Sequence, residues 1–393
     1  MGKTVIVGGA RTPVGKLGGG LATFTASQLG GKAMKEALTR AGVEAKDVGH
    51  VIMGNVLQGG QGQLPSRQAM HEAGIPWETE TETINKVCAS GMRSVTLADI
   101  LIRSEEQDII VAGGMESMSQ APFFVKGARF GFKMGDQKFY DMMTHDGLTC
   151  SFTGVHMGNY GNGVAEEHNL SRAAQDEWSY RSHQKVGEAM NAGKFAEEIV
   201  PIVVPQRKGD PLLVEHDESP RLDSTVERLA KLKPAFGAEG TITAGNAPGV
   251  NDGAAALVLM SEEKAKEKGL IPLATIVAHT QLAIEPEGFP KTPGLVINKL
   301  LKKAGKTVAD IDLFEINEAF AAVSLASGQI AGLDPEKINV NGGAVALGHP
   351  IGASGTRIIL TLAYELKRRG GGIGIAAICS GGGQGDAIMI EVK

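Results

Sequence analysis

The sequence predicts an α/β fold of layered helices and sheets: a duplicated βαβαβ unit with an inserted loop domain. Three observations predict it. The first is an internal repeat. Ala89-Ser90-Gly91-Met92-Arg93 returns as Ala353-Ser354-Gly355-Thr356-Arg357, and Leu38-Thr39-Arg40-Ala41-Gly42 returns as Leu301-Lys302-Lys303-Ala304-Gly305 at nearly the same separation. The second is a series of short apolar runs flanked by glycine, the pattern of buried strands, separated by stretches of helical period. The third is a polar stretch over residues 120–250, rich in Met, Phe and Gly, that interrupts the first copy and not the second.

The elements follow in order. Thr4–Val7 opens the first half as a strand. Ser27–Ala41 reads as a helix, because Leu29, Ala33, Met34, Ala37, Leu38 and Ala41 share one face. Strands are expected at Val51–Val56, Thr83–Val87 and Ile109–Ala112, with a helix at Ser94–Arg103. The second half offers strands at Ala274–Val277, Ile311–Ile316, Ile338–Val340 and Ile373–Ile378, and a helix at Ile358–Arg368. Each half ends on a similar strand, Gly253–Met260 and Gly385–Val392. The insertion shows one helix, Ser171–Ala192. The predicted division is 1–119 with 251–270 as the N-terminal half, 120–250 as the inserted loop domain, and 271–393 as the C-terminal half. An insertion of this size between strands usually builds a binding surface or lid.

Bulk properties exclude several classes. With 42% apolar and 21% charged residues the chain is globular rather than disordered. A net charge of −5 calls for neither nucleic acid nor an anionic membrane surface. The three cysteines, Cys88, Cys150 and Cys379, fit no disulfide framework, and their spacing fits no zinc site, so no metal is expected. No apolar run is long enough to span a membrane. Neither a signal peptide, nor a myristoylation motif at Gly2, nor a peroxisomal address at Glu391-Val392-Lys393 is present, so a cytoplasmic location is expected.

Four positions could carry chemistry. Cys88 precedes the repeated helix of the first half, where the positive end of a helix dipole lowers a thiol pKa and favours thiolate. By position alone it is equally a buried structural cysteine. Cys379 ends the equivalent strand of the second half, before Ser380-Gly381-Gly382-Gly383, where open α/β sheets bind ligands; a core thiol is the competing reading. His349 is displayed between Gly348 and Pro350. The repeat maps Cys88 onto Gly352, so pseudo-symmetry would bring Cys88 and His349 together as a reactive pair. Asn317 ends a strand, where its amide could hold a water or polarise a carbonyl, or merely cap a turn.

Cys88-Ala89-Ser90-Gly91, Asn317-Glu318-Ala319-Phe320, Gly348-His349-Pro350 and Cys379-Ser380-Gly381 resemble, in order and spacing, the four active-site fingerprints of the thiolase family. The resemblance covers essentially the whole chain, including Gly245-Asn246-Ala247 and Asn251-Asp252-Gly253-Ala254-Ala255. It implies an acetyl-CoA C-acetyltransferase that condenses two acetyl-CoA to acetoacetyl-CoA and CoA through an acyl-Cys intermediate. The alternative is a 3-ketoacyl-CoA thiolase of broader chain length in fatty-acid β-oxidation. In that family pattern Cys88 carries the acyl group, His349 takes the Cys88 proton, and Cys379 moves the α-proton. Asn317 holds a water for one oxyanion hole with His349, and the backbone N–H groups of Cys88 and Gly381 form the other. The resemblance further implies that His156, Met157 and Arg221 contact coenzyme A, and that Phe236, Ala244, Pro248, Ala319 and Phe320 line the path of its pantetheine arm. From the residues alone, His156 and Arg221 read equally as solvated surface. No cofactor is implied beyond coenzyme A thioesters as substrates. Residues 120–140, with Phe123, Phe124, Phe130 and Phe132, resemble the loop through which members form homotetramers.

Two positions depart from short-chain members. Pro248 stands where they usually carry Ser, removing a hydroxyl from the pantetheine path, and Phe289 stands where they often carry Met. Both bear on acyl length and neither touches the catalytic set. A ketoacyl-synthase type of enzyme lacks the second cysteine, and an idle relative typically loses a fingerprint. A dinucleotide-binding enzyme would need a Gly-x-Gly-x-x-Gly after the first strand, which is missing.

Overall fold

In this computed structural model, which describes residues 2–393, the two halves share one topology. The first contains β1 (Thr4–Arg11), β2 (Gly15–Lys16), α1 (Ala26–Ala41), β3 (His50–Gly54), α2 (Pro65–Glu72), β4 (Glu80–Ile84), α3 (Ser90–Arg103) and β5 (Ile109–Ser117). The segment that follows adds β6 (Phe123–Val125), β7 (Phe139–Asp141), α4 (Met157–Glu167), α5 (Arg172–Asn191), β8 (Ile202–Val204), β9 (Leu212–Val214) and α6 (Val226–Ala230). The first half then closes with β10 (Asn251–Ser261) and α7 (Glu262–Glu267). The second runs β11 (Ala274–Ala283), α8 (Thr292–Ala304), β12 (Leu313–Ile316), α9 (Ala321–Ala331), α10 (Ala344–Leu347), α11 (Ser354–Arg368), β13 (Gly372–Ser380) and β14 (Gln384–Val392).

The sheet runs β4-β3-β5-β10-β1 and, through an antiparallel pair of β1 with β11, continues β11-β14-β13-β12. Taken from its outer edge, each half repeats the other. β3 and β5 are parallel, as are β12 and β13; β10 and β14 then turn antiparallel. The place of β4 is held in the second half by one parallel bridge, Phe314 to Ile338, where a strand was expected. Asn339 sits there at φ 47, which ends the extended run.

Period-two alternation sorts the strands into layers. In β10, Ala254, Ala256, Val258 and Met260 pack with α1 and α2, whereas Leu257 and Leu259 pack with α3 and α11. In β13, Ile375 and Ala377 face α8 and α9, whereas Ala376 and Ile378 face α3 and α11. The helices of the repeat are therefore sandwiched between the two half-sheets. They start four residues earlier than the apolar period suggested, because the first turns are small residues pressed against the partner helix. A Cβ at Gly355 would lie 2.3 Å from Met92 N, and one at Gly91 would lie 2.8 Å from Gly352 O. Among the described residues no helix is long and apolar enough to cross a membrane.

Candidate active site

Thr83–Val87, expected as strand, ends its pairing at Ile84, and the chain turns sharply before Cys88. Val87 is held at φ 45, a costly conformation for a β-branched residue. Several bonds sustain it. Asn85 Oδ1 accepts from Val87 N at 3.0 Å. Ser90 Oγ accepts from Lys86 N at 2.8 Å and donates to Val87 O at 2.6 Å. The second half grips the same turn. Ser380 Oγ donates to Lys86 O at 2.5 Å, and Lys86 Nζ meets Asp386 Oδ1 at 2.6 Å. The turn leaves Cys88 half-buried at the edge of a cavity of about 270 Å³.

Both halves and the insertion line that cavity. Of the residues singled out in the sequence, it gathers Cys88, His349 and Gly381 with His156, Met157, Phe236, Pro248, Ala319 and Phe320. His156 caps α4, its Nδ1 accepting from Gly158 N at 3.1 Å, and its ring stacks on Phe236 at 4.5 Å. Cys379 and Asn317 lie behind the wall, fully buried. Cys379 packs with Phe289, Ala319 and Phe320. Asn317 Nδ2 is 3.4 Å from His349 Nε2, and Asn317 Oδ1 is buried without a protein partner. Arg221 and Ala244 are not on this cavity. They border an adjoining one of about 450 Å³, which shares Ala247, Gly249 and Val250 with the first and also takes in Lys16 and His183.

The electrostatics reverse one expectation. Cys88 does not have a lowered thiol pKa; burial pushes it up to about 12. Hydrogen bonds from the backbone N–H groups of Gly381 and Cys88 itself pull the other way, and Glu116 adds to the rise. Desolvation outweighs the helix terminus. Burial, with the Cys88 sulfur nearby, also raises Cys379 well above an ordinary thiol. His349 moves oppositely: burial, then Arg357, push it down to about 3, so its imidazole is neutral near pH 7. Near pH 7 the cavity therefore holds a protonated Cys88 thiol and a neutral His349 imidazole.

Two buried carboxylates outside the expected site residues brace the site. Glu116 accepts from Asn55 Nδ2 at 2.9 Å, Val56 N at 3.1 Å, Leu57 N at 3.1 Å and Gly352 N at 2.9 Å, stapling the loop after β3 to the turn after His349. Burial pushes it up to about 7 against those hydrogen bonds. Its only signal was a lone acid closing the apolar run of β5. Glu318, inside a fingerprint, accepts from Trp178 Nε1, Ser182 Oγ and Asn339 Nδ2 at 2.9 Å each and from Val345 N at 3.0 Å. It locks α5 of the insertion to the loop bearing Asn317. Cys150 packs in the apolar cluster with Tyr160 and Val164. Phe123, Phe130 and Phe132 are exposed, but Phe124 is half-buried against Tyr140 and His145.

Known proteins resemble the chain over nearly its whole length. The thiolase N-terminal domain family matches residues 4–263, and the thiolase C-terminal domain family matches residues 270–392. An acetyl-CoA acetyltransferase of Cupriavidus necator is 50% identical over 389 residues, covering 99% of each chain. A probable acetyl-CoA acyltransferase of Staphylococcus epidermidis is 45% identical over 391 residues, covering 100% of this chain and 99% of its own. The crystal structure of the Bacillus anthracis acetyl-CoA acetyltransferase superposes with a TM-score of 0.97 at 42% identity, covering 100% of this chain and 99% of that one. With both domains matched over nearly its full length, and relatives of this identity, the chain belongs to the thiolase family.

Proposed function

We propose that this acyltransferase is an acetyl-CoA C-acetyltransferase, joining two acetyl-CoA into acetoacetyl-CoA and free CoA through an acetyl-Cys88 intermediate. The observation that carries the reading is the convergence of Cys88, His349 and Gly381 on one largely apolar cavity, with Cys379 and Asn317 directly behind it. Cys88 Sγ gives its proton to His349 Nε2 and bonds to the thioester carbon. The C–S bond to CoA breaks, and the CoA thiolate takes the Cys379 proton. The Cys379 thiolate then removes an α-proton from the second acetyl-CoA. The resulting carbanion bonds to the acetyl carbon, and the departing Cys88 thiolate recovers its proton from His349. Gly381 and Cys88 N–H groups stabilise one oxyanion. A water on Asn317 with His349 stabilises the other, and the unpartnered Asn317 Oδ1 supports that role.

The two adjoining cavities suit the two ends of coenzyme A. His156, Met157, Phe236 and Pro248 border the inner one as pantetheine contacts, while Lys16 and Arg221 offer positive charge to phosphates at the outer one. The test is intact-protein mass spectrometry after acetyl-CoA: a single acetyl group localised to Cys88 is expected, and an unmodified Cys88 sinks the reading. A longer-chain 3-ketoacyl-CoA thiolase is the second reading, because Phe289 and Pro248, the two departures from short-chain members, both line the cavity and leave acyl length open. Rates with acetoacetyl-CoA against 3-ketohexanoyl-CoA and 3-ketodecanoyl-CoA separate the two.

A further inference from the structure

We propose that Ser354 is a positioning residue that holds His349 in the tautomer with its proton on Nδ1, leaving Nε2 free to take the Cys88 proton. The inference rests on the reading of His349 as the base for Cys88. Ser354 Oγ donates to Pro350 O at 2.9 Å and lies 2.6 Å from His349 Nδ1. A hydroxyl has one proton to give, and a carbonyl can only accept. Once that proton points at Pro350 O, the oxygen faces Nδ1 with a lone pair, and Nδ1 must supply the hydrogen. The far side of the ring agrees. Asn317 Nδ2 is a donor 3.4 Å from Nε2, and a donor there calls for an unprotonated nitrogen. His349 N donates to Asn251 Oδ1 at 2.9 Å, which fixes the backbone that carries the ring. Because His349 and Ser354 are both buried, water is poorly placed to replace the serine.

The duplication gives independent support. Ser354 and Ser90 are the first residues of the two equivalent helices. Ser90 Oγ closes the turn that displays Cys88, bonding Lys86 N and Val87 O. In the second half the equivalent serine also bonds a backbone carbonyl, Pro350 O, but its second partner is the His349 imidazole rather than a backbone N–H. The equivalent serine thus braces the turn of Cys88 in one copy and the ring of His349 in the other.

A double-mutant cycle tests this, using Ser354→Ala, His349→Ala and the pair, read as single-turnover acetylation of Cys88 and as steady-state kcat and KM. General base catalysis contributes roughly 10²–10⁴ in rate, so scrambling the tautomer lowers kcat about 10–100-fold with KM for acetyl-CoA little changed. In the His349→Ala background, Ser354→Ala has no further effect. Equal losses in both backgrounds would mark a packing role and overturn the proposal, as would parental kcat in Ser354→Ala. Selective ¹⁵N-histidine spectra, with His349 identified by its absence from His349→Ala, measure the tautomer directly; a protonated Nε2 in the parent near pH 7 also overturns it. If the parent never acetylates Cys88, the functional reading fails and takes this inference with it. If the parent and His349→Ala behave as expected while Ser354→Ala is silent, only the role of Ser354 fails.

Discussion

At the scale of single residues the active site depends on where protons rest. With Cys88 at about 12 and His349 at about 3, the thiolate–imidazolium pair is not preformed. The Cys88 proton therefore moves as the thioester is attacked, and acetylation should show a normal solvent deuterium isotope effect. An inverse effect, the mark of an ion pair already formed, would contradict these burial-driven shifts. Cys88→Ser should abolish the acyl-enzyme and lower turnover by orders of magnitude, since serine at this site lacks the nucleophilicity of sulfur. Cys379→Ser should still acetylate Cys88, yet exchange the α-protons of acetyl-CoA with deuterated water poorly. Normal exchange would remove Cys379 from the proton-transfer role. Cys88, His349, Cys379 and Asn317 stood out in the sequence because each lies at a helix start, strand end or Gly-Pro turn within a fingerprint, and the structure puts Cys88 and His349 on one cavity with Asn317 in contact with His349. The sequence did not make the protonation states legible. A helix start is local and visible, but the burial that overrides it, and the charge of Glu116 that adds to it, come from parts of the chain the local sequence does not show.

At the scale of elements, the two halves meet where α3 and α11 begin. Gly91 and Gly355 face each other's helix so closely that neither tolerates a side chain, and Thr356 Oγ1 donates to Gly91 O at 2.9 Å. This contact sets the spacing between the turn of Cys88 and the turn of His349. Gly355→Ala should force the helix starts apart, costing about 1–3 kcal/mol by overpacking, with a fall in kcat larger than the loss of stability explains. Urea denaturation beside steady-state kinetics checks it, and a variant unchanged in both would show that the contact yields freely. The repeat itself was readable as sequence, and it predicted equivalent helices. Not every element was readable, and two cases show why. α4 contains Gly158, Gly161 and Gly163, which weaken helix propensity, and Phe236 presses where a Cβ at Gly158 would lie. The expected strand at Ile338–Val340 shrank to one bridge, because Asn339 spends its side chain on Ile316 and Glu318 instead of extending a ladder.

At the scale of the whole molecule, the insertion must be held against the sheet for its residues to border the cavity. Glu318 makes one tie, through α5. Arg11, at the end of β1, makes another. It is fully buried; Nε meets Glu198 at 2.7 Å, and Nη1 meets Asp217 at 2.7 Å. Against burial, which favours the neutral form, Asp217 and Glu198 raise its pKa and keep the guanidinium charged. Asp217 Oδ1 also accepts from Val14 N at 2.7 Å, so the cluster joins the chain on both sides. Nothing in the sequence could pair these residues, because Asp217 is 206 positions from Arg11. Arg11→Ala should leave two buried carboxylates without their countercharge, a loss of about 3–5 kcal/mol. The consequence should extend to function. Loosening the insertion displaces His156 and Met157 at the inner cavity and Arg221 at the outer one, so KM for acetyl-CoA should rise more than kcat falls. Adding Glu198→Gln and Asp217→Asn to Arg11→Met replaces the charges with neutral groups of similar shape and should recover much of the stability. If Arg11→Ala unfolds at the parental urea midpoint, or if the triple variant is no better than Arg11→Ala, the buried cluster is not what fastens the insertion to the sheet.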